Sequence, residues 1–195
     1  MKLYYAPGAC SLSVRISLHE AGFNAAFERV DIATKLTEHG YDYTAINPKG
    51  YVPMLVLDDG SAVTENTAVL EFIADREPRL GAGGPLGRTR LIEMLSWLST
   101  ELHVAFKPLW HEANAEEKAA AIEAVARRLD YLVDDVSELY LFGAHFTVAD
   151  AYLFVMLRWA RAFGVRIPIE LAGYFDRVAE RETVRRALAE EGLAS

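Results

Sequence analysis

The sequence contains one cysteine, Cys10, in 195 residues. A lone thiol cannot close a disulfide within the chain, so the fold must be held by packing, and a reducing compartment is expected. No Cys/His cluster has the spacing of a structural zinc site, which argues for a metal-free protein. Long apolar runs are missing as well. The longest, Ala151 to Leu157, ends at Arg158, and the N-terminal stretch breaks at Pro7-Gly8 before any core of secretory length. The expectation is a cytoplasmic protein without a membrane segment. Positive charge is scarce: 20 Lys and Arg face 28 Asp and Glu, for a net charge of −8. That balance opposes the phosphate attraction behind nucleic-acid binding and adhesion to anionic lipid.

What is present is the material of a packed core. Hydrophobic residues make up 52% and charged residues 25% of the chain, far from the composition of a disordered segment. The length suits one or two small domains.

The first third alternates between periods. "KLYY" (2–5) reads as a strand, Ser11 to Ala21 as a helix stopped by Gly22, and "FERVDI" (27–32) as a half-buried strand. Turn chemistry in "INPKG" (46–50) precedes a short apolar strand, "VPMLVL" (52–57). "DDG" (58–60) then suits a hairpin that returns through "SAVT" (61–64). From Asn66 to Arg76, Val69, Phe72 and Ile73 recur at helical spacing. The order is βαβ followed by ββα.

Residues 78–87, "PRLGAGGPLG", hold four Gly and two Pro, and neither period survives such a stretch, so a linker is predicted there. Beyond it the pattern is helical. Leu91, Leu95, Leu98, Leu102 and Leu109 mark one face of a long helix, and Ile122, Val125, Leu129, Leu132 and Val136 mark the next. Asn114 with Glu117, and Thr147 with Asp150, have the spacing of capping boxes at helix starts.

Three features carry possible chemistry. Cys10 sits at a helix entrance, where unpaired N–H groups and the helix dipole favour a thiolate; the alternative is a small buried apolar filler. Val52-Pro53 lies between a turn and a strand. If that bond is cis, Val52 can offer its N–H and C=O to an extended peptide; otherwise Pro53 is a plain turn residue. "TEN" (64–66) opens a helix, with Asn66 as a natural N-cap whose neighbouring N–H groups suit a carboxylate, and with Glu65 placed to hold an ammonium. The other reading is a capped helix with a solvated acid. Together the three could hold a zwitterionic, thiol-bearing peptide near Cys10. Ser96, Thr100, His103 and Lys107 add a polar stripe at helical spacing, which could equally face solvent or a partner subunit.

The stretches "MKLYYAPGACSLS", "NPKGYVPMLVL", "TENTAVLEFIAD", "LHVAFKPLW" (102–110) and "FTVADAYLF" (146–154) resemble a bacterial beta-class glutathione S-transferase over essentially the whole chain. The resemblance implies an α/β thioredoxin-like domain at 1–77 with a mixed four-stranded sheet, a linker at 78–87 and an all-helical domain at 88–195. It implies a homodimer, glutathione as co-substrate rather than a tightly bound cofactor, and a hydrophobic electrophile as the second substrate.

By the same resemblance Cys10 stands beside the glutathione sulfur, His103 approaches it from the second domain, and Val52 before Pro53 pairs with the cysteinyl backbone. Glu65 and Asn66 would hold the γ-glutamyl end, although many relatives have serine where this chain has Asn66. Lys35 resembles a basic residue near the glycine carboxylate, or is a solvated loop lysine. Tyr5, Ser11 and Thr100 are further glutathione candidates, with Tyr5 equally readable as core. Phe106, Trp110 and Trp159 are candidate walls for the electrophile, or core aromatics.

The expected reaction is attack of the glutathione thiolate on an electrophilic carbon, giving a thioether. Two adjacent thiolates repel, so Cys10 is either a thiol donating to the glutathione sulfur or a thiolate attacking a disulfide. The rival readings are a glutathione-dependent thiol-disulfide reductase and a non-catalytic ligand-binding protein of the same fold.

Overall fold

The computed structural model describes residues 1–136 and 138–193. Strand β1 (Lys2–Tyr5) leads through helix α1 (Ser11–Ala21) to β2 (Ala26–Asp31), which lies parallel to β1. Gly22 ends α1 at φ 68°, a left-handed conformation open to glycine at little cost, and donates to the His19 carbonyl. The chain continues through β3 (Leu36–Thr37), a short helix α2 (Tyr43–Ile46), the hairpin of β4 (Met54–Val56) and β5 (Ala62–Thr64), and helix α3 (Asn66–Arg76). The sheet order is β3-β2-β1-β4-β5, with every pairing except β1–β2 antiparallel.

The four predicted strands are therefore present in one mixed sheet, and β3 adds a fifth at the edge. Two residues are too few to leave an alternating signal. The strand expected over 52–57 is shorter than its apolar run, because Pro53 has no N–H to give to the ladder.

After α3 the chain makes a tight helical turn at Pro78–Leu80 and enters α4 (Gly87–Trp97). The long regular helix expected through Leu109 is interrupted. Residues Leu98–His103 adopt wide i→i+5 turns, and α5 (Lys107–Trp110) is one short turn begun around Pro108. The leucines still face inward: Leu91, Leu95, Leu98 and Leu102 are buried. Helices α6 (Ala115–Tyr131), α7 (Val148–Ala162), α8 (Ile169–Ala179) and α9 (Glu182–Glu190) complete the chain.

Both capping boxes form. Asn114 Oδ1 accepts the Glu117 N–H, and Glu117 returns the bond to the Asn114 N–H, each at 2.9 Å. At α7, Asp150 Oδ2 accepts both the N–H and the hydroxyl of Thr147 at 2.7 Å, while Oδ1 accepts the Leu141 N–H and the Tyr174 hydroxyl. Asp150 is fully buried, so these bonds compensate for the water it gives up.

Helix α1 lies between the sheet and the helical half, packing on α3, α7 and α9. One hydrophobic cluster runs from Leu3 and Tyr5 through α1 and α3 into α7, where Ala151 to Leu157 are all buried. Tyr4, Val30, Tyr43 and Met54 form a smaller cluster. Alternation along β1 divides the two, as a strand requires. Among the described residues no helix is long and apolar enough to cross a membrane.

Candidate active site

Cys10 occupies the N-cap of α1, and its Sγ lies 3.6 Å from the Val52 carbonyl. The Val52–Pro53 bond is cis. The helix entrance alone would favour a thiolate, but burial outweighs it and pushes the Cys10 thiol up to about 12, with the backbone N–H groups of Ser11 and Cys10 acting in the other direction. In the ligand-free protein this favours the packed thiol, of the two readings the sequence left open, over a dipole-stabilised thiolate. Cys10 is a protonated thiol and a weak donor to Val52.

At the start of α3 the sequence-based N-cap is displaced by one residue. Glu65, at φ 70° and ψ 124°, takes the cap position, and Asn66 is the first helical residue. Such backbone geometry is rare for a residue bearing a Cβ and costs on the order of 1–3 kcal/mol. Among the described residues no side chain caps α3, so its first N–H groups stay available to an anion. The exposed Glu65 carboxylate meets Lys49 Nζ at 2.6 Å. Asn66 is buried and turned inward, with Nδ2 3.1 Å from Ser13 Oγ. Its side chain is thereby committed within the protein, while its backbone N–H belongs to the open helix start.

Lys35 Nζ donates to the Gly50 carbonyl at 2.9 Å and lies over the Tyr51 ring. It braces the turn that delivers Val52 and Pro53.

From the helical half, His103 sits at the end of the wide turns, its Nδ1 2.7 Å from the Tyr152 hydroxyl. Its ring packs edgewise on Trp159 and Trp110, with centroids 4.9 and 5.4 Å away. Burial, aided by the Lys107 charge, lowers the imidazole to about 4, so His103 is neutral at pH 7. The loop before Cys10 is held on both sides of one residue: the Gly8 N–H donates to Glu191 at 2.9 Å, and the Gly8 carbonyl accepts the Trp159 indole N–H at 2.8 Å. Glu191 also accepts from Arg15 Nε at 3.0 Å. Burial pushes its carboxyl up to about 7 despite the Gly8 and Arg15 contacts.

Four predicted residues are not brought to this cluster. Tyr5 is buried in the core with the Arg15 guanidinium 4.1 Å from its ring centroid. Ser11 is fully buried and its hydroxyl engages Ala6. Thr100 is exposed, and its hydroxyl turns back to the Ser96 carbonyl four residues earlier. Phe106 is fully buried and packs behind Trp110 and Trp159 as core. Trp110 keeps an exposed face.

The sequence reading missed Gly8, Ser13, Tyr152 and Glu191. Tyr152 lies within an apolar run and reads there as core, and the partner of Glu191 is 183 residues away, beyond any local pattern. A cavity of about 460 Å³ lined by residues that include Trp97, Arg127 and Tyr131 contains none of the groups above, so cavity size does not mark the site.

Comparison with known proteins gives an independent reading. Residues 8–76 match the family model described as glutathione S-transferase, N-terminal domain, and residues 85–180 match that for its C-terminal domain. The chain is 41% identical to glutathione S-transferase GstA of Escherichia coli O157:H7, over 99% of this chain and 100% of that protein. It is similar in structure to BphK, solved as the ternary complex of a bacterial GST, with a TM-score of 0.93 and 42% identity, covering 99% of this chain and 100% of that one. A bacterial beta-class glutathione S-transferase from Sphingomonas chungbukensis gives a TM-score of 0.90 at 42% identity, with both chains fully covered.

Proposed function

The chain belongs to the glutathione S-transferase family, and from that premise we propose that it joins the thiolate of glutathione to electrophilic small molecules beside Cys10 and His103. The observation that carries this reading is the convergence of three peptide-holding features at one thiol. They are the Val52 backbone at a cis proline, the uncapped start of α3, and the Glu65 carboxylate.

In this reading the α-carboxylate of the γ-glutamyl group takes the N–H groups at Asn66 and Thr67, and its ammonium takes Glu65 in place of Lys49. The Val52 N–H and C=O pair with the cysteinyl backbone as an added strand would. Lys35 is near enough to the same turn to meet the glycine carboxylate. The sulfur then rests beside Cys10 and His103. Cys10, a thiol at neutral pH, donates a hydrogen bond to the anion, and His103 adds a second polar contact. The protein supplies orientation and a preorganised environment for the developing charge. Trp110, with its exposed face, forms a wall for the electrophile. A cytoplasmic homodimer acting in detoxification accords with this chemistry and with the single reduced cysteine.

The test is calorimetric titration with reduced glutathione, followed by a chromogenic assay with 1-chloro-2,4-dinitrobenzene. Binding and turnover are expected. Uptake without turnover would favour a ligand-binding role, and no uptake would remove the reading.

Thiol-disulfide reduction is a second reading, for which Cys10 would need to ionise. The Cys10→Ala variant separates the two: it keeps much of the conjugation activity and loses disulfide exchange.

A further inference from the structure

We infer that Glu191 is a positioning residue for the Cys10 turn: from the end of α9 it holds Gly8 in the backbone conformation that presents Cys10 to Val52. The effect on glutathione rests on the transferase reading above; the hold on Gly8 stands on this chain's own contacts.

Gly8 lies two residues before Cys10 at φ 69°, a left-handed geometry that glycine enters and leaves at little cost. The turn is therefore fixed from outside. Both polar groups of Gly8 go to side chains arriving from the helical half, the N–H to Glu191 Oε2 at 2.9 Å and the carbonyl to the Trp159 indole at 2.8 Å. Leu193 covers a further side, since a Cβ placed on Gly8 would stand 3.7 Å from its Cδ2, an ordinary packing distance.

Two adjacent carboxylates at the end of α9 have different tasks. Glu190 meets Arg15 Nη1 at 2.9 Å and His19 Nε2 and Arg186 Nε at 2.8 Å, bonds that dock α9 on α1 and leave Gly8 aside. Glu191 is buried and gives one oxygen to Arg15 Nε at 3.0 Å and the other to Gly8. Arg15 is itself held between the Tyr5 and Phe27 rings, 4.1 and 3.9 Å from their centroids, so Glu191 is aimed from a fixed post. An amide in its place has one acceptor oxygen, and one of the two donors loses its partner.

A loosened turn presents Cys10 correctly for only part of the time, and the apparent dissociation constant of a ligand rises by the inverse of that fraction. A ligand that saturates the site then holds the turn itself. Loss of Glu191 therefore acts on the affinity for glutathione and leaves turnover at saturation nearly unchanged.

Glu191→Gln is compared with Glu190→Gln at pH 8, where circular dichroism shows each protein folded. For Glu191→Gln, KM for glutathione is expected to rise about 3- to 10-fold with kcat within about twofold. Amide hydrogen exchange at Gly8, followed by NMR, is expected to quicken at least about tenfold. Glu190→Gln weakens the docking of α9 and spares Gly8, so its urea midpoint should fall with KM and Gly8 exchange unchanged. Equal shifts of KM and Gly8 exchange in the two variants would overturn the assignment, because Glu191 would then act only through helix docking. Unchanged Gly8 exchange in folded Glu191→Gln overturns it too. A native Gly8 amide that exchanges as fast as an unprotected one does so with no variant to fold. Calorimetry of the native protein with reduced glutathione separates the failures: absent uptake removes the transferase reading, while protected Gly8 exchange that is lost in Glu191→Gln and kept in Glu190→Gln still upholds the hold on the turn.

Discussion

Trp159 donates its indole N–H to the carbonyl of Gly8 at 2.8 Å, across 151 residues of sequence. The same ring packs against His103. One side chain on α7 therefore touches both the loop that presents Cys10 and the histidine expected on the other side of the sulfur. Replacing Trp159 by Phe keeps an aromatic ring and removes the donor. The expected cost is about 1–2 kcal/mol of stability, from a lost bond and an unpaired carbonyl, read as a lower urea midpoint, together with weaker glutathione binding. An unchanged midpoint would show that the bond contributes nothing.

Glu191 gives a pH dependence with a definite sign. Its carboxyl is raised from 4.5 to about 7, so between those values the folded chain holds a proton that the unfolded chain releases. Its contribution to stability is therefore present at low pH and declines as pH rises through that window. Glu190 behaves oppositely: although burial acts to raise it, bonds from Arg186, His19 and Arg15 hold it at about 2. Its contribution is lost only as pH falls from 4.5 toward that value. Denaturant titrations of Glu191→Gln should thus lose a slope worth on the order of 1–3 kcal/mol across pH 4.5 to 7. The acid limb below pH 4.5 should be retained. A variant whose slope matches the parent would remove Glu191 as the source.

Cys10 should be sluggish. With its thiol near 12 in the ligand-free protein, the thiolate population at pH 8 is far below that of a free cysteine at about 8.5. Alkylation by iodoacetamide should be at least about tenfold slower than that of free cysteine under the same conditions. Rapid alkylation would restore the helix-stabilised thiolate and strengthen the reductase reading.

At the start of α7, Thr147→Ala should cost about 1 kcal/mol through loss of the cap. Asp150→Ala should cost more, because the Leu141 and Thr147 N–H groups and the Tyr174 hydroxyl all lose their acceptor. Thermal unfolding should rank parent, Thr147→Ala and Asp150→Ala in that order of falling midpoint.

The elements that were legible in the sequence are those whose signal is local. Gly22 stops α1, Asn114 and Thr147 open α6 and α7 with a carboxylate three residues on, and the apolar run around Tyr152 is wholly buried. Cys10, Val52 and Asn66 were singled out because each stands at a junction where backbone groups lack partners, with Glu65 as the adjacent acid, and the structure brings Cys10 to Val52 and ties the start of α3 to α1 through Asn66 and Ser13. What escaped was set by long-range contact or by competition between forces. The charge state of Cys10 depended on whether burial or the helix entrance prevails, which a motif cannot weigh. Asn66 looked like a cap until Ser13 drew it inward. Thr100 was placed by extending a regular stripe into a segment that widens, Phe106 was read as a pocket wall or as core and is buried, and Gly8 acquires its role only when α7 and α9 arrive.

That widening carries its own lesson. Residues in a regular helix advance by about 100° each, so the looser winding of Leu98–His103 accommodates a surplus residue and changes the heading of everything downstream. Shortening this segment by one position would restore ordinary winding and swing the imidazole and the aromatic wall behind it to a new bearing, with every side chain's chemistry intact. The geometry of the candidate site is written partly as chain length, a quantity that substitution scans leave untouched and single-residue deletions would expose.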